Sequence, residues 1–317
     1  MSDGIHDQAV MIGARKTLVG IVTQPVDYEP EDRPVFVILN TGIIHRVGHH
    51  RMYVSLARAL ARLGYQVLRF DLSGIGDSES REDGLSLLDG ALADVREVVD
   101  WLVRARRARK VILMGLCSGA DQALVYGISD KRVCGLVLLD PSIPPTRKYY
   151  LRHFLRRLIS PKSWLNFLTG RGASWNKVRK LLGLPYDDAW ERHRVNLSDP
   201  TIRVFLQNAY EQLMDLGIHC LAVFTSGVQH QHNYRRQIFE AFPKITFNNS
   251  FRLEYFAGCD HLFTSEADRE RLFGIVMEWV RAATFAGQAA AEPTRNRRSI
   301  ASHRTTCRMR FNRIRRM

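Results

Sequence analysis

Paired cysteines, a membrane-length apolar run and a metal-binding spacing are all missing from this sequence. Its five cysteines form an odd set with no C-x-x-C or other paired spacing. That argues against a disulfide scaffold and a thiolate metal site, and no metal or organic cofactor is implied. No stretch of about 18 apolar residues occurs, so no transmembrane helix is expected. The opening MSDGIHDQAV lacks the charged-then-apolar order of a secretory signal. Together with unpaired thiols this predicts a cytoplasmic protein. Internal repeats and nucleic-acid-binding motifs are absent too, so no specific nucleic-acid partner is expected. One narrower gap bears on chemistry: no Asp or Glu lies between Asp215 and Glu240.

What is present is a chain of 317 residues, 45% hydrophobic and 9% aromatic, enough to bury a substantial core. The formal net charge of +14 is unevenly spread. Residues 293–317 carry nine Arg and no Asp or Glu, and residues 142–217 carry thirteen Lys or Arg against six Asp or Glu. The remainder is near neutral. Basicity therefore belongs to one internal segment and one tail.

Hydrophobic patterning alternates between two periods. Val10–Thr23, with Gly13 and Gly20, reads as an opening hairpin. PVFVILN (34–40), YQVLRFD (65–71), KVILMG (110–115), VCGLVLLD (133–140), CLAVFTS (220–226) and FRLEYFA (251–257) read as buried strands. Helical spacing appears over 51–63, 85–103, 120–128, 234–242 and 265–283. Strands alternating with helices predict a mostly parallel sheet covered on both faces. Ligands on such sheets bind at the carboxyl ends of the strands. The alternation breaks over 142–217, where only helical patterns occur. The expected organisation is a core of residues 1–141 and 218–290, a helical cap insertion at 142–217, and a basic, disordered tail at 291–317.

The segment MGLCSGAD (114–121) carries the chemistry. A nucleophile elbow is a strained strand-to-helix turn that needs small residues two before and two after its central residue. Gly115 and Gly119 flank Cys117 in this way. Ser118 is the second candidate, but Leu116 stands two before it and is bulky. With FDLSGIGDSES (70–80), LNTGIIH (39–45) and GCDHLF (258–263) in order around the elbow, residues 10–285 resemble the α/β-hydrolase superfamily. The run NTGIIHRVGHHRMYVSLARALARLGYQVLRFDLSGIGDSESR with GLCSGAD is similar to one bacterial branch, the serine-aminopeptidase-like hydrolases associated with exosortase and exopolysaccharide loci. Several of that branch also read Cys in the elbow, and the resemblance implies a cysteine nucleophile at Cys117.

The resemblance places the base in the loop after the last strand, at His261. It places an acid after the seventh strand, where this chain reads TSGVQHQHNY and has none. Asp140, at the end of GLVLLDP one strand earlier, is the alternative acid, although Asp-Pro after a strand is also an ordinary turn. Asp260, next to the base, is expected to hold the loop. A thiol near pKa ~8.5 drops further beside an imidazolium, so a Cys–His pair tolerates a weak third member. The oxyanion donors are expected at the backbone N–H groups of Ser118 and Ile43, with Gly42 giving the backbone room. Asn40-Thr41 stands where His-Gly is commoner. Gly42, His45 and Asp121 are candidate substrate-lining residues, and His49 and His50 share the loop. His230 and His232 follow the seventh strand.

YYLRHFLRRLI (149–159) sets Tyr150, Leu151, Phe154, Leu155, Leu158 and Ile159 on one helical face, and SWLNFL follows. Such a helix packs over a site with its charge solvated, the favoured reading, or lies on an anionic membrane as a weak contact of cap and tail. The expected activity is hydrolysis of a carboxylic ester or thioester, on a small-molecule or carrier-linked acyl substrate. An acyltransferase acting on a glycan or carrier-linked acyl group, and a catalytically silent hydrolase fold used for binding, are the alternatives.

Overall fold

Strand-forming blocks that are apolar on both faces need cover on both sides, and this one rule organises the chain. In the computed structural model, which describes residues 4–29, 33–160, 196–228 and 231–283, β1 (Ile5–Ile12) and β2 (Leu18–Pro25) form the opening antiparallel hairpin. The other strands are β3 (Val35–Ile38), β4 (Val67–Phe70), β5 (Val111–Leu116), β6 (Val133–Leu139), β7 (His219–Thr225) and β8 (Phe251–Phe256). Their order in the single sheet is β1-β2-β4-β3-β5-β6-β7-β8, with every pairing from β4 to β8 parallel. This is an α/β-hydrolase fold.

Helices fill the crossovers: α1 (Met52–Arg62), α2 (Leu87–Arg106), α3 (Ser118–Gly127), α4 (Arg147–Leu158), α5 (Pro200–Asp215), α6 (Gln237–Ala241) and α7 (Glu266–Ala282). Ser86 caps α2 by accepting the Asp89 N–H, which fixes its start. Alternate strand residues Phe36, Ile38, Ile112, Met114 and Leu116 pack with Leu56 and Leu60 of α1 and Val276 and Trp279 of α7. The intervening Val35, Val37, Leu113, Leu136 and Leu138 are equally buried, so the sheet is covered on both faces.

Two expectations change. FRLEYFA was expected to be a buried strand, but β8 is half-buried because it is the sheet's edge, and Arg252 there pairs with Glu254 and Glu278. The helix expected over 234–242 shortens to α6, because the Tyr234 hydroxyl is held between Thr146 and Glu240 and the chain turns there. The Arg-rich tail, the SWLNFL stretch and His230 lie outside the described residues. No described helix is long and apolar enough to cross a membrane.

The described residues fall into two compact units. The larger contains 4–142, 207–228 and 243–283; the smaller contains 143–160, 196–206 and 231–242. Within 142–217 the described residues form α4 and α5 and no strand.

Candidate active site

The elbow follows from a steric problem at two glycines. A Cβ on Gly115 would lie 2.2 Å from the Gly119 carbonyl carbon, and a Cβ on Gly119 would lie 2.4 Å from the Asn40 carbonyl oxygen. Only hydrogen fits at either place, so β5 and the start of α3 close tightly and the chain between them bends sharply. The bend falls on Cys117, at φ 57° and ψ −119°. Ser118 instead starts α3. The strained backbone therefore singles out Cys117, as the glycine frame predicts. Its N–H donates to Leu139 O at 2.9 Å and its carbonyl accepts from Ala120 and Asp121, which locks the turn. The side chain is half-buried.

Asp140 leaves the end of β6, also at positive φ (45°). Its carboxylate is buried and fully engaged. Oδ1 accepts the Thr225 N–H at 2.6 Å; Oδ2 accepts the Thr225 hydroxyl at 2.7 Å and faces His261 Nδ1 at 2.8 Å. The carboxylate that faces His261 is thus Asp140, and the end of β7 supplies it with donors. At Gly227 the β7 loop has no room for a side chain. A Cβ there would lie 2.5 Å from the His261 backbone N, so the histidine loop packs directly on the β7 loop. Asp260 does hold that loop: it accepts the Leu262 N–H at 2.7 Å and the Thr264 N–H at 3.2 Å.

Burial by itself lowers His261, but hydrogen bonds to Asp140 and Cys117 outweigh it and raise His261 from 6.5 to about 9. The folded protein then holds this proton more tightly than the unfolded chain does. Its stabilising contribution is complete below pH 6.5 and is lost as pH rises through about 9. Denaturant titrations across that interval are expected to show falling stability, and His261→Gln is expected to flatten the slope. His49 lies within electrostatic reach: burial lowers it first, and the charges of His261 and His50 lower it further.

The loop after β3 is built from residues whose importance the sequence did not announce. Thr41 to Ile44 form a tight turn closed by Ile44 N–H to Thr41 O at 2.9 Å. Asn40 braces it, donating to Ile44 O and accepting the Leu72 N–H at 2.7 Å. Buried Asp71 accepts the Arg46 N–H at 2.6 Å and pairs with the Arg46 guanidinium, which also reaches Asp77. Thr41 Oγ1 meets the Tyr53 hydroxyl at 2.6 Å, and burial pushes Tyr53 up to about 12 against the pull of that bond and of the Leu116 backbone.

Gly42 has φ 55°, and its N–H donates to the Ser118 hydroxyl at 2.9 Å. The Ile43 side chain is 88% exposed, leaving its backbone at the tip of the turn. The Ser118 N–H sits in the first turn of α3, where a helix has no internal acceptor. His45 is exposed, and its Nδ1 accepts the Val47 N–H at 3.5 Å. Asp121, a candidate lining residue, uses both oxygens on Ser142, from the backbone N–H at 2.8 Å and the hydroxyl at 2.7 Å. It fastens the exit of β6.

Cys117, Asp140, Thr225 and His261 thus meet at the carboxyl ends of β5, β6, β7 and the loop after β8. A family model described as serine aminopeptidase, S33, matches residues 38–225, which span the elbow and Asp140. The chain belongs to that family of α/β hydrolases. In this hydrolase a cysteine occupies the elbow position.

Solved structures agree on the fold. An esterase of Pyrococcus furiosus superposes with a TM-score of 0.55 at 15% identity, over 88% of this chain and 91% of that one. An α/β serine hydrolase without a lid, from Xanthomonas campestris, gives 0.51 at 15% identity, over 90% and 98%. A meta-cleavage product hydrolase of Pseudomonas fluorescens gives 0.52 at 14% identity, over 87% and 98%. No functionally curated protein matches the hydrolase significantly in sequence.

Thr225→Val tests the brace behind Asp140. It removes one donor from a buried carboxylate at nearly constant volume. The expected cost is about 1–3 kcal/mol of stability by urea unfolding.

Proposed function

We propose that this hydrolase cleaves a carboxylic ester or thioester through an acyl-enzyme on Cys117. The observation that carries the reading is the hydrogen-bonded line from Asp140 to His261, with Cys117 as His261's other partner, strained into the elbow. Asp140 fixes the tautomer of His261 through Nδ1 and leaves Nε2 for the thiol. His261 takes the thiol proton as the Cys117 sulfur attacks the carbonyl carbon.

The carbonyl oxygen becomes an oxyanion held by the Ser118 and Ile43 N–H groups. The Ser118 hydroxyl, by accepting from Gly42, keeps the Ile43 turn beside the elbow. The tetrahedral adduct collapses as its bond to the leaving group breaks. His261 gives its proton to that group. Neutral His261 then takes a proton from water, whose oxygen attacks the thioester and releases the acid and Cys117.

A serine alcohol relies on a strongly supported base, whereas a thiolate relies on it less. Asp140→Asn is therefore expected to cost roughly ten- to hundredfold in kcat, against about 10^4-fold for His261→Ala. It should also move the alkaline limb of kcat/KM down from about 9, because Asp140 helps raise His261. Equal losses in both variants would refute the Cys–His reading.

The likeness of the 40–81 stretch to the exosortase-associated branch supports a carrier- or glycan-linked acyl group as substrate. The test of the whole reading is labelling with iodoacetamide followed by peptide mapping. Enhanced alkylation at Cys117 that disappears in His261→Ala supports it. Reactivity no greater than that of a free thiol would leave a hydrolase fold without turnover.

A further inference from the structure

Among its described side chains helix α4 buries only Tyr149 and leaves an apolar face exposed. Tyr149 is buried, and its carbonyl accepts from Asn233 at 3.1 Å. Lys148 and Arg152 stay exposed while resting against the Tyr234 ring: Lys148 Nζ lies 4.9 Å and Arg152 Cζ lies 5.2 Å from its centre, and Lys148 also reaches Glu240. Cation–π contacts of this kind hold charge without exposing ring faces to water. One exposed side of the helix is apolar. Tyr150, Leu151, Phe154 and Leu155 share one face at helical spacing, and each is at least half exposed.

Charge indicates what covers this face. The helix RKYYLRHFLRRL holds five Lys or Arg and no Asp or Glu. A second copy would bring two such cationic helices together, and the Arg-rich tail would bring nine more positive charges. Both repel. A bilayer with anionic headgroups supplies the opposite charge and an apolar interior in one surface, and cationic side chains beside an apolar stripe fit its headgroup level.

We infer that α4 docks the protein on an anionic membrane, with Leu151, Phe154 and Leu155 entering the headgroup–acyl boundary and Tyr150, its hydroxyl 2.9 Å from Ser198 Oγ, at the edge of that face. Arg147 and Lys148, both exposed and beside this face, supply attraction to the lipid phosphates. The membrane is bound at its surface and not crossed. Attachment therefore depends on salt and on the fraction of anionic lipid.

The test is flotation of the full-length chain with vesicles. One set is phosphatidylcholine alone, and the other contains about one-third phosphatidylglycerol. The chain is expected to float with the anionic vesicles only. Leu151→Asp with Phe154→Asp should lower that partition by about tenfold or more at an unchanged melting temperature. Leu151→Ser with Phe154→Ser provides a milder version should the acidic pair impair folding. Arg147→Glu with Lys148→Gln should reduce the preference for anionic lipid. Failure of the unaltered chain to float with anionic vesicles overturns the inference. So does flotation of the apolar-face variants at the unaltered level, which would assign binding to the tail. A dimer that these variants dissociate, without vesicle binding, would make the face a contact between copies instead.

Discussion

Cys117→Ala is expected to cut ester or thioester turnover by about 10^4-fold or more while leaving the unfolding midpoint nearly unchanged. The two halves of that expectation come from different features. Turnover falls because the sulfur is the atom proposed to form the acyl bond, and no neighbour replaces it. Ser118 is adjacent in sequence, but it is the first residue of α3 and its hydroxyl accepts the Gly42 N–H. Stability holds because the elbow is kept by backbone: the Cys117 N–H on Leu139 O, and its carbonyl under Ala120 and Asp121. Alanine tolerates the same φ and ψ about as well as cysteine does. Initial rates on a chromogenic acetyl ester and a urea titration of the same preparation check both. Residual turnover above about one percent of normal would remove Cys117 from the reaction.

Gly119→Ala carries the largest expected loss of stability, about 3 kcal/mol or more. The new methyl would lie 2.4 Å from the Asn40 carbonyl oxygen, and neither group belongs to a flexible side chain. Relief requires α3 to move away from β3, which also pulls Ser118 from Gly42 and spoils the turn that holds Ile43. Activity should therefore fall even in the fraction that stays folded. Gly274→Ala is the matched control. It lies inside α7 with nothing within 4 Å of the added methyl, so a gain of about 0.5–1 kcal/mol is expected from helix propensity. If both substitutions shift the urea midpoint alike, tight strand–helix closure is not what holds the elbow.

The contrast between these glycines marks what a sequence can reveal. Gly115 and Gly119 sit four apart around one residue, a local pattern with a steric cause, so the elbow was legible. The strands were legible because burial on both faces makes each an uninterrupted apolar block. β8 read falsely because nothing in FRLEYFA states that it would end at the sheet's edge. Asp140 was only one of two possibilities, since its partners Thr225 and His261 lie 85 and 121 residues away in sequence.

Distance in sequence also hid Arg46 and Asp71. An arginine in a polar loop looks solvated until the fold brings a buried carboxylate to it. Asp121 shows the same limit: a carboxylate beside an elbow suggests a substrate contact, and its hydrogen bonds to Ser142, 21 residues away, were not legible in the sequence.

Gly227 has a consequence for how this site can change over generations. With the histidine loop resting on its bare α-carbon, any side chain at 227 strikes the His261 backbone. An acid returned to that point of the β7 loop would displace the histidine it is meant to support. A single substitution there cannot restore the family's usual arrangement, because the loop carrying His261 would have to move first, and function would lapse meanwhile. Mutational paths that keep the histidine in place therefore leave its support at Asp140. The close packing acts as a ratchet, letting the rest of the chain diverge while this one exchange stays closed.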